Sequence, residues 1–349
     1  MWTNRLKLPS SLTVLPTILA LFTLCAASLA QAATAPTPSA QDTINAMERA
    51  NAAVVGITTQ VPEDARSAET LGLRRQGSGV VIGADGLVLT IGYLVLEAET
   101  INITTQDNKV VPARVVAYDH ATGFGLVQPL TPMRSIKPVA IAGAQDVALG
   151  SALMVSTGGE DGDVNMTQLV SKRAFSGTWE YFIDNALFTA PAIANHSGAP
   201  LFNQRGELIG IGSLVVANAL GDQRRLPGNM FVPTALLTPI LAELRQTGSS
   251  RSSKRPWIGL TSAEQSGRVQ VLQVSKEGPA ETAGLQAGDI VLAVDGAKVT
   301  SLESFYKKLW DHAEPDAQIQ LTVLQGADIK TITLRATDRM RALAKPKGI

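Results

Sequence analysis

Apolar residues fall in short runs along most of this chain, punctuated by Gly, Asp and Asn. The run 54–57 reads as a strand. Residues 77–82 lead through Ala84-Asp85-Gly86 into 87–90, a hairpin with an Asp-Gly turn. Residues 101–104 alternate, turn at 106–109 and continue as 110–116, and 123–127 forms another short strand. The pattern persists to about residue 232 with no strong helical stretch, which predicts an all-β barrel or a sandwich pair. Helical spacing occurs at 42–52, with Asp42 as cap and Ile44, Met47 and Ala50 or Asn51 along one side. It recurs at 234–245, through Leu236, Leu237, Ile240, Leu241 and Leu244. Residues 246–255 are Ser-, Gly- and base-rich, a linker. A second unit follows from 256 to about 336, with strands at 269–271, 290–294 and 319–324 and helices at 279–283 and 302–310.

Composition narrows the class. Hydrophobic residues make up 45% and charged residues 17%, a globular balance in a chain long enough for two domains. Formal net charge is zero, so nothing argues for nucleic acid or an anionic membrane surface as a partner. The single cysteine, Cys25, rules out an internal disulfide framework. Zinc-type Cys/His spacing is absent, and neither a metal nor a cofactor is expected. The start carries Arg5 and Lys7, an apolar stretch over 12–29 interrupted by Pro16, and Ala30-Gln31-Ala32. That is a secretory signal peptide over 1–32, placing the mature protein in the periplasm; uncleaved, it would be a membrane anchor. After cleavage no stable membrane span is expected. Residues 33–52 form a leader and short helix.

The stretch with chemistry is Asn195-His196-Ser197-Gly198-Ala199-Pro200-Leu201, ahead of a strand, an Asn203–Gly206 turn and another strand. A Ser beside Gly on such a turn can present its hydroxyl with backbone N–H groups nearby, the layout of a nucleophile and its oxyanion hole.

Four segments occur in order: Gln76-Gly77-Ser78-Gly79-Val80-Val81, Asp85-Gly86-Leu87-Val88-Leu89-Thr90, Ala121-Thr122-Gly123-Phe124-Gly125-Leu126-Val127 and Ser197-Gly198-Ala199-Pro200-Leu201. Together they resemble the HtrA/Deg-type serine proteases, whose trypsin-like double β-barrel would occupy 53–245. Glu277-Gly278-Pro279-Ala280 through Gly284-Leu285-Gln286-Ala287-Gly288-Asp289-Ile290 is similar to the central motif of the family's PDZ domain, placed at 256–338 ahead of a basic tail, 339–349. The fold class is therefore mainly β, a double barrel followed by an α+β PDZ domain.

The departures from the family pattern bear on activity. Where it carries its base His, this chain has Tyr93; where it carries the acidic member, Gly123. Asn195 and His196 stand where the oxyanion turn has Gly-Asn. Ser197 alone keeps its place. A neutral phenol is a feeble base at pH 7, and Gly123 can orient nothing. The chain has 3 His in all. His196 adjoins Ser197 and would point away from it. His120 reads as a solvated turn residue and His312 as a surface helix end. Lys172 is a candidate for a Ser-Lys pair without supporting spacing, and Asp119 reads as a turn former.

The PDZ signature carries no such damage. By the resemblance, Trp257-Ile258-Gly259-Leu260 is a carboxylate-binding loop, and the strand after it can accept an extended peptide edge to edge. Phe305 and Leu309 are candidates for a side-chain pocket, against a plain core role. Arg251, Lys254 and Arg255 could assist a carboxylate but read first as charged linker. The expected function is a catalytically inactive HtrA-like protein that binds unfolded or C-terminal polypeptide segments as chaperone, adaptor or regulator. Two alternatives stand beside it: a serine endopeptidase using Ser197 with an unorthodox base, and a structural subunit joining active relatives. A homo-trimer or hetero-oligomer is implied by the resemblance alone.

Overall fold

The computed structural model describes residues 1, 39–142, 147–160, 162–221, 225–341 and 343. The expected signal peptide, Cys25, most of the leader and most of the basic tail lie outside the described residues.

The first helix, α1 (Ala40–Asn51), starts at Ser39 rather than Asp42. The Ser39 hydroxyl accepts from Asp42 N–H at 3.1 Å, and the Asp42 carboxylate reaches back to Ser39. Asp42 is thus the partner of a capping box at the third helical residue, not the cap. The helix buries Ala46 and Ala50, one turn apart, and leaves Ile44 49% exposed, so the packed face is smaller than the apolar spacing indicates.

Then follow β1 (Val54–Gln60), α2 (Ala68–Leu71), β2 (Arg74–Val81), β3 (Val88–Ile91), α3 (Gly92–Val95), β4 (Thr100–Thr104), β5 (Val110–Tyr118) and β6 (Phe124–Pro129). The strands close into an antiparallel barrel in the order β1-β2-β3-β6-β5-β4. The Asp-Gly hairpin is present as β2 and β3, with Val80 opposite Leu89. A second barrel is built from β7 (Ala152–Ser156), β8 (Val164–Gly177), β9 (Tyr181–Ala190), β10 (Pro200–Phe202), β11 (Leu208–Val216) and β12 (Gly228–Pro233), in the order β10-β11-β12-β9-β8-β7. Phe124, Phe188, Phe202 and Phe231 are completely buried within the two. Each contributes about 1.5–3 kcal/mol relative to exposure.

The helix expected at 234–245 divides. Thr234–Leu236 is a single 3-10 turn, and α4 spans Leu241–Thr247. The 3-10 turn is fixed by Thr234, whose buried hydroxyl lies 3.1 Å from the carbonyl oxygens of both Ala142 and Leu208 and shares its one proton between them.

Beyond it lie β13 (Pro256–Trp257), β14 (Leu260–Gln265), β15 (Arg268–Val274), α5 (Pro279–Thr282), β16 (Ile290–Val294), β17 (Ala297–Lys298), α6 (Leu302–Leu309), β18 (Gln318–Gln325), β19 (Asp328–Arg335) and β20 (Thr337–Asp338). The main sheet runs β14-β15-β16-β18-β19, with β17 on β16. Ser301 and Ser304 cap α6 reciprocally, and the helix buries Leu302, Phe305, Tyr306 and Leu309 at helical spacing. No helix among the described residues is long and apolar enough to cross a membrane.

The stretch read as a linker is pinned. Ser250 and Ser253 are buried, and both hydroxyls donate to the Asp119 carboxylate in the first barrel. Arg255 lies 3.4 Å over the Trp310 ring. Burial holds its guanidinium down to about 10, which leaves it a cation at neutral pH.

Candidate functional site

Ser197 sits between the barrels. Its carbonyl accepts from Ser78 N–H at 2.8 Å, while the Thr90 hydroxyl holds the Ser78 carbonyl at 2.7 Å. On its other side Gly198 N–H donates to the Gly212 carbonyl at 2.9 Å, and Ala199 N–H to the His196 carbonyl at 3.0 Å. Ser197 lines an open cleft of about 340 Å³ together with Gly56, Gln76, Gly77, Gly158 and Asn195.

Tyr93 is brought directly to it. The one-turn helix α3 carries Tyr93, a turn the strand pattern did not predict. Arg75 fixes that turn from behind: it is 4% exposed and donates to the carbonyls of Tyr93 at 2.7 Å and Leu96 at 2.8 Å. Its other guanidinium nitrogen donates to the Ser67 hydroxyl at 2.7 Å. Sequence reasoning missed Arg75, because an Arg next to a turn-rich stretch carries no sign of burial.

The Tyr93 hydroxyl lies 2.8 Å from Ser197 Oγ and 3.0 Å from the Ser213 carbonyl. It has one proton to give, and the carbonyl can only accept. If that proton goes to the carbonyl, the serine hydroxyl donates to a neutral phenol oxygen. If it goes to Ser197, the serine has gained a donor and no base. Burial pushes the Tyr93 hydroxyl up to about 12, against a smaller pull from its bond to Ser197. At pH 7 about one phenol in 10⁵ is then ionised. Neither arrangement can take the serine proton.

Gly123, which the resemblance sets against the family's acidic member, carries no side chain and leaves little room for one. Gly123 lies beside α3, its carbonyl accepting from Gly92 N–H at 2.6 Å. Its φ is +82°, and a Cβ there would stand 3.1 Å from Tyr181 Oη. Tyr181 is 4% exposed, donates to the Thr122 carbonyl at 2.6 Å and stacks on Trp179 with centroids 5.5 Å apart. A side chain at 123 would be strained by the positive φ and would press on the Tyr181 hydroxyl.

None of the other candidate bases reaches Ser197. His196 is partly exposed, and its Nδ1 pairs with the Ala194 carbonyl at 2.9 Å. His120 is not a solvated turn residue: it is 3% exposed, between the Tyr118 hydroxyl and Arg339, each at 3.3 Å. Burial, then the charges of Arg339 and Arg255, hold its imidazole well below 6.5, so it is neutral. His312 pairs with Asp295 at 2.7 Å in the second unit. Lys172 lies in β8 opposite Leu187. Asp119 does form its turn, accepting from Thr122 N–H at 2.9 Å, and also holds Ser250 and Ser253.

The loop 257–260 has an occupant from the chain itself. Ile258, Gly259 and Leu260 N–H all converge on the Glu180 carboxylate, at 3.2, 2.8 and 2.8 Å. Gly259, at φ +84°, turns the loop so that consecutive amides face one side. Trp257 is 8% exposed and its ring packs within 3.3 Å of where a Gly259 Cβ would be, so it braces the loop. Phe305 and Leu309 are fully buried in the core that also holds Ile258 and Leu260. Arg255 is not solvated: it donates to the Glu180 carbonyl at 3.3 Å. Glu180 was not foreseen, since a lone Glu in a Trp-Glu-Tyr turn reads as surface.

Residues 77–211 match a trypsin-like peptidase domain and residues 256–335 a PDZ domain. A probable periplasmic serine endoprotease DegP-like of Halomonas elongata is 26% identical over 282 residues, covering 76% of this chain and 57% of that protein. A counterpart in Brucella suis is 28% identical over 71% of this chain and 50% of its own length. The chain thus spans about half the length of these relatives. A putative serine protease HhoA of Synechocystis is 25% identical, covering 74% of this chain and 70% of its own. Among solved structures, a serine endoprotease from Yersinia pestis superposes with TM-score 0.53 at 23% identity, covering 87% of this chain and 99% of that one. The HtrA-type protease AlgW with a decapeptide gives 0.54 at 19%, with 87% and 99% covered. Two barrels with Ser197 at their junction, a PDZ unit behind them and these likenesses together place the chain in the HtrA/DegP-type serine protease family.

Proposed function

We propose that this chain is a non-hydrolysing member of that family, secreted to the periplasm, which binds unfolded or C-terminal polypeptide segments as chaperone, adaptor or regulator. The observation that carries the reading is the Tyr93 hydroxyl 2.8 Å from Ser197 Oγ. A serine hydroxyl attacks a carbonyl only when a positioned base accepts its proton. Removing the base from a serine triad costs on the order of 10⁶ in turnover. Here the neighbour is a phenol pushed up to about 12, and Gly123 supplies no carboxylate behind it. The relatives are named as proteases, so the departure lies in these two positions rather than in the fold. Binding is the activity that the remaining parts support: a cleft beside Ser197 and an amide-lined loop in the PDZ unit.

The test is suppression of aggregation of chemically denatured citrate synthase by light scattering. Wild type and Ser197→Ala are expected to suppress it equally. Wild-type protein that leaves aggregation untouched, or that suppresses it only while Ser197 is present and the client is being cut, would sink the reading.

A further inference from the structure

The β8–β9 hairpin of the second barrel ends in Thr178-Trp179-Glu180, and this tip lies in the PDZ unit as a peptide would. We infer that Glu180 is an intramolecular ligand that caps the PDZ carboxylate loop, so that an external C-terminal carboxylate binds only by displacing it. The inference rests on the PDZ unit being the peptide-binding element.

Three features carry it. One Glu180 oxygen accepts from Gly259 and Leu260 N–H, the other from Ile258 N–H. Three consecutive amides converging on one carboxylate make an anion-binding concavity. They are the donors that a peptide's terminal carboxylate would need. Next, Ser262 N–H in β14 donates to the Thr178 carbonyl at 2.8 Å. Thr178 lies two residues before Glu180, and Ser262 two after Leu260. One main-chain bond therefore joins the tip to the edge strand β14, two residues beyond the capped loop, on the edge where an added peptide would lie. Finally, α6 holds the tip from the other flank. The buried Tyr306 hydroxyl donates to the Gly177 carbonyl at 2.7 Å and accepts from Glu180 N–H at 3.3 Å. Glu180 itself is 1% exposed and sits at φ +57°, a left-handed conformation that the contacts must maintain.

The cap is also exchangeable. The amides, not an ion pair at bonding distance, are the direct partners of the Glu180 carboxylate. An incoming carboxylate can make the same three bonds while Glu180 returns to water. The swap conserves hydrogen bonds, so the balance is set by how well the rest of the peptide fits β14. Affinity for a peptide is reduced by the fraction of molecules whose loop is uncapped.

The experiment uses the full chain and a fluorescein-labelled, alanine-rich peptide ending in a free C-terminal valine, beside the same peptide as its C-terminal amide. Glu180→Ala is expected to bind the free acid at least about tenfold tighter than wild type by anisotropy, with no such gain for the amide. Hydrogen exchange at Gly259 and Leu260 N–H is expected to quicken in unliganded Glu180→Ala and to slow again with the acid. Equal affinity in both proteins, with exchange at Gly259 and Leu260 unchanged, would overturn the cap while leaving peptide binding intact. Quickened exchange with no binding of either peptide would uphold the cap and defeat the peptide-binding reading instead. Should Glu180→Ala not fold, wild type decides: saturating acid must quicken exchange at the Glu180 N–H, and an unchanged rate overturns the cap.

Discussion

Tyr93→His combined with Gly123→Asp leaves hydrolysis of unfolded casein at background and lowers the thermal midpoint. The reason lies in what surrounds position 123. An L-residue at φ +82° costs about 1–2 kcal/mol in backbone strain. Its Cβ would stand 3.1 Å from Tyr181 Oη, so the Tyr181 ring, stacked on Trp179, would have to give way by a few tenths of an ångström. Position 123 is itself only half-buried, so the new carboxylate keeps access to water, and the cost is set by the backbone strain and the contact with Tyr181. At about 2–4 °C per kcal/mol for barrels of this size, that strain lowers the midpoint by roughly 2–8 °C. A double variant that cleaves casein with an unchanged midpoint would show that the acidic position still accepts a side chain.

Asp119→Ala costs at least about 3 kcal/mol of stability, because it strands several buried donors at once. The carboxylate is fully buried and serves three residues. One oxygen holds its own turn through Thr122 N–H and hydroxyl; the other takes Ser250 N–H and the hydroxyls of Ser250 and Ser253. Asp119→Asn keeps one carbonyl acceptor and retains part of that. The urea midpoint and the rate of limited proteolysis at 246–255 report the two effects. A midpoint within experimental error of wild type would mean that water replaces the carboxylate and that the segment is not pinned by it.

These two residues also show where reading the chain stopped. The β-rich architecture was legible because Asp85-Gly86 and the alternating runs obey local rules, and β2 and β3 form where those rules place them. The meeting of Tyr93 and Ser197 was legible because their segments keep the family's order along the chain. Burial of polar residues was not. His120 reads as a turn residue until Arg339, 219 positions away, folds over it. Asp119 reads as a turn former until Ser250 and Ser253 arrive. Glu180 has no local signature at all, since its donors lie 78 to 80 positions further on. The start of α1 was misplaced for a smaller reason: Asp42 and Ser39 share one capping box, and only the dihedral at Ser39, ψ 159°, tells which is the cap.

The central claim is that Ser197 has no base. A fluorophosphonate probe reacts with serine hydroxyls that are activated, so it reads that claim without needing a substrate. Folded wild-type protein is predicted to remain unlabelled, matching Ser197→Ala, over a time that fully labels an active HtrA-type protease. Labelling of the wild type that disappears in Ser197→Ala would contradict the account.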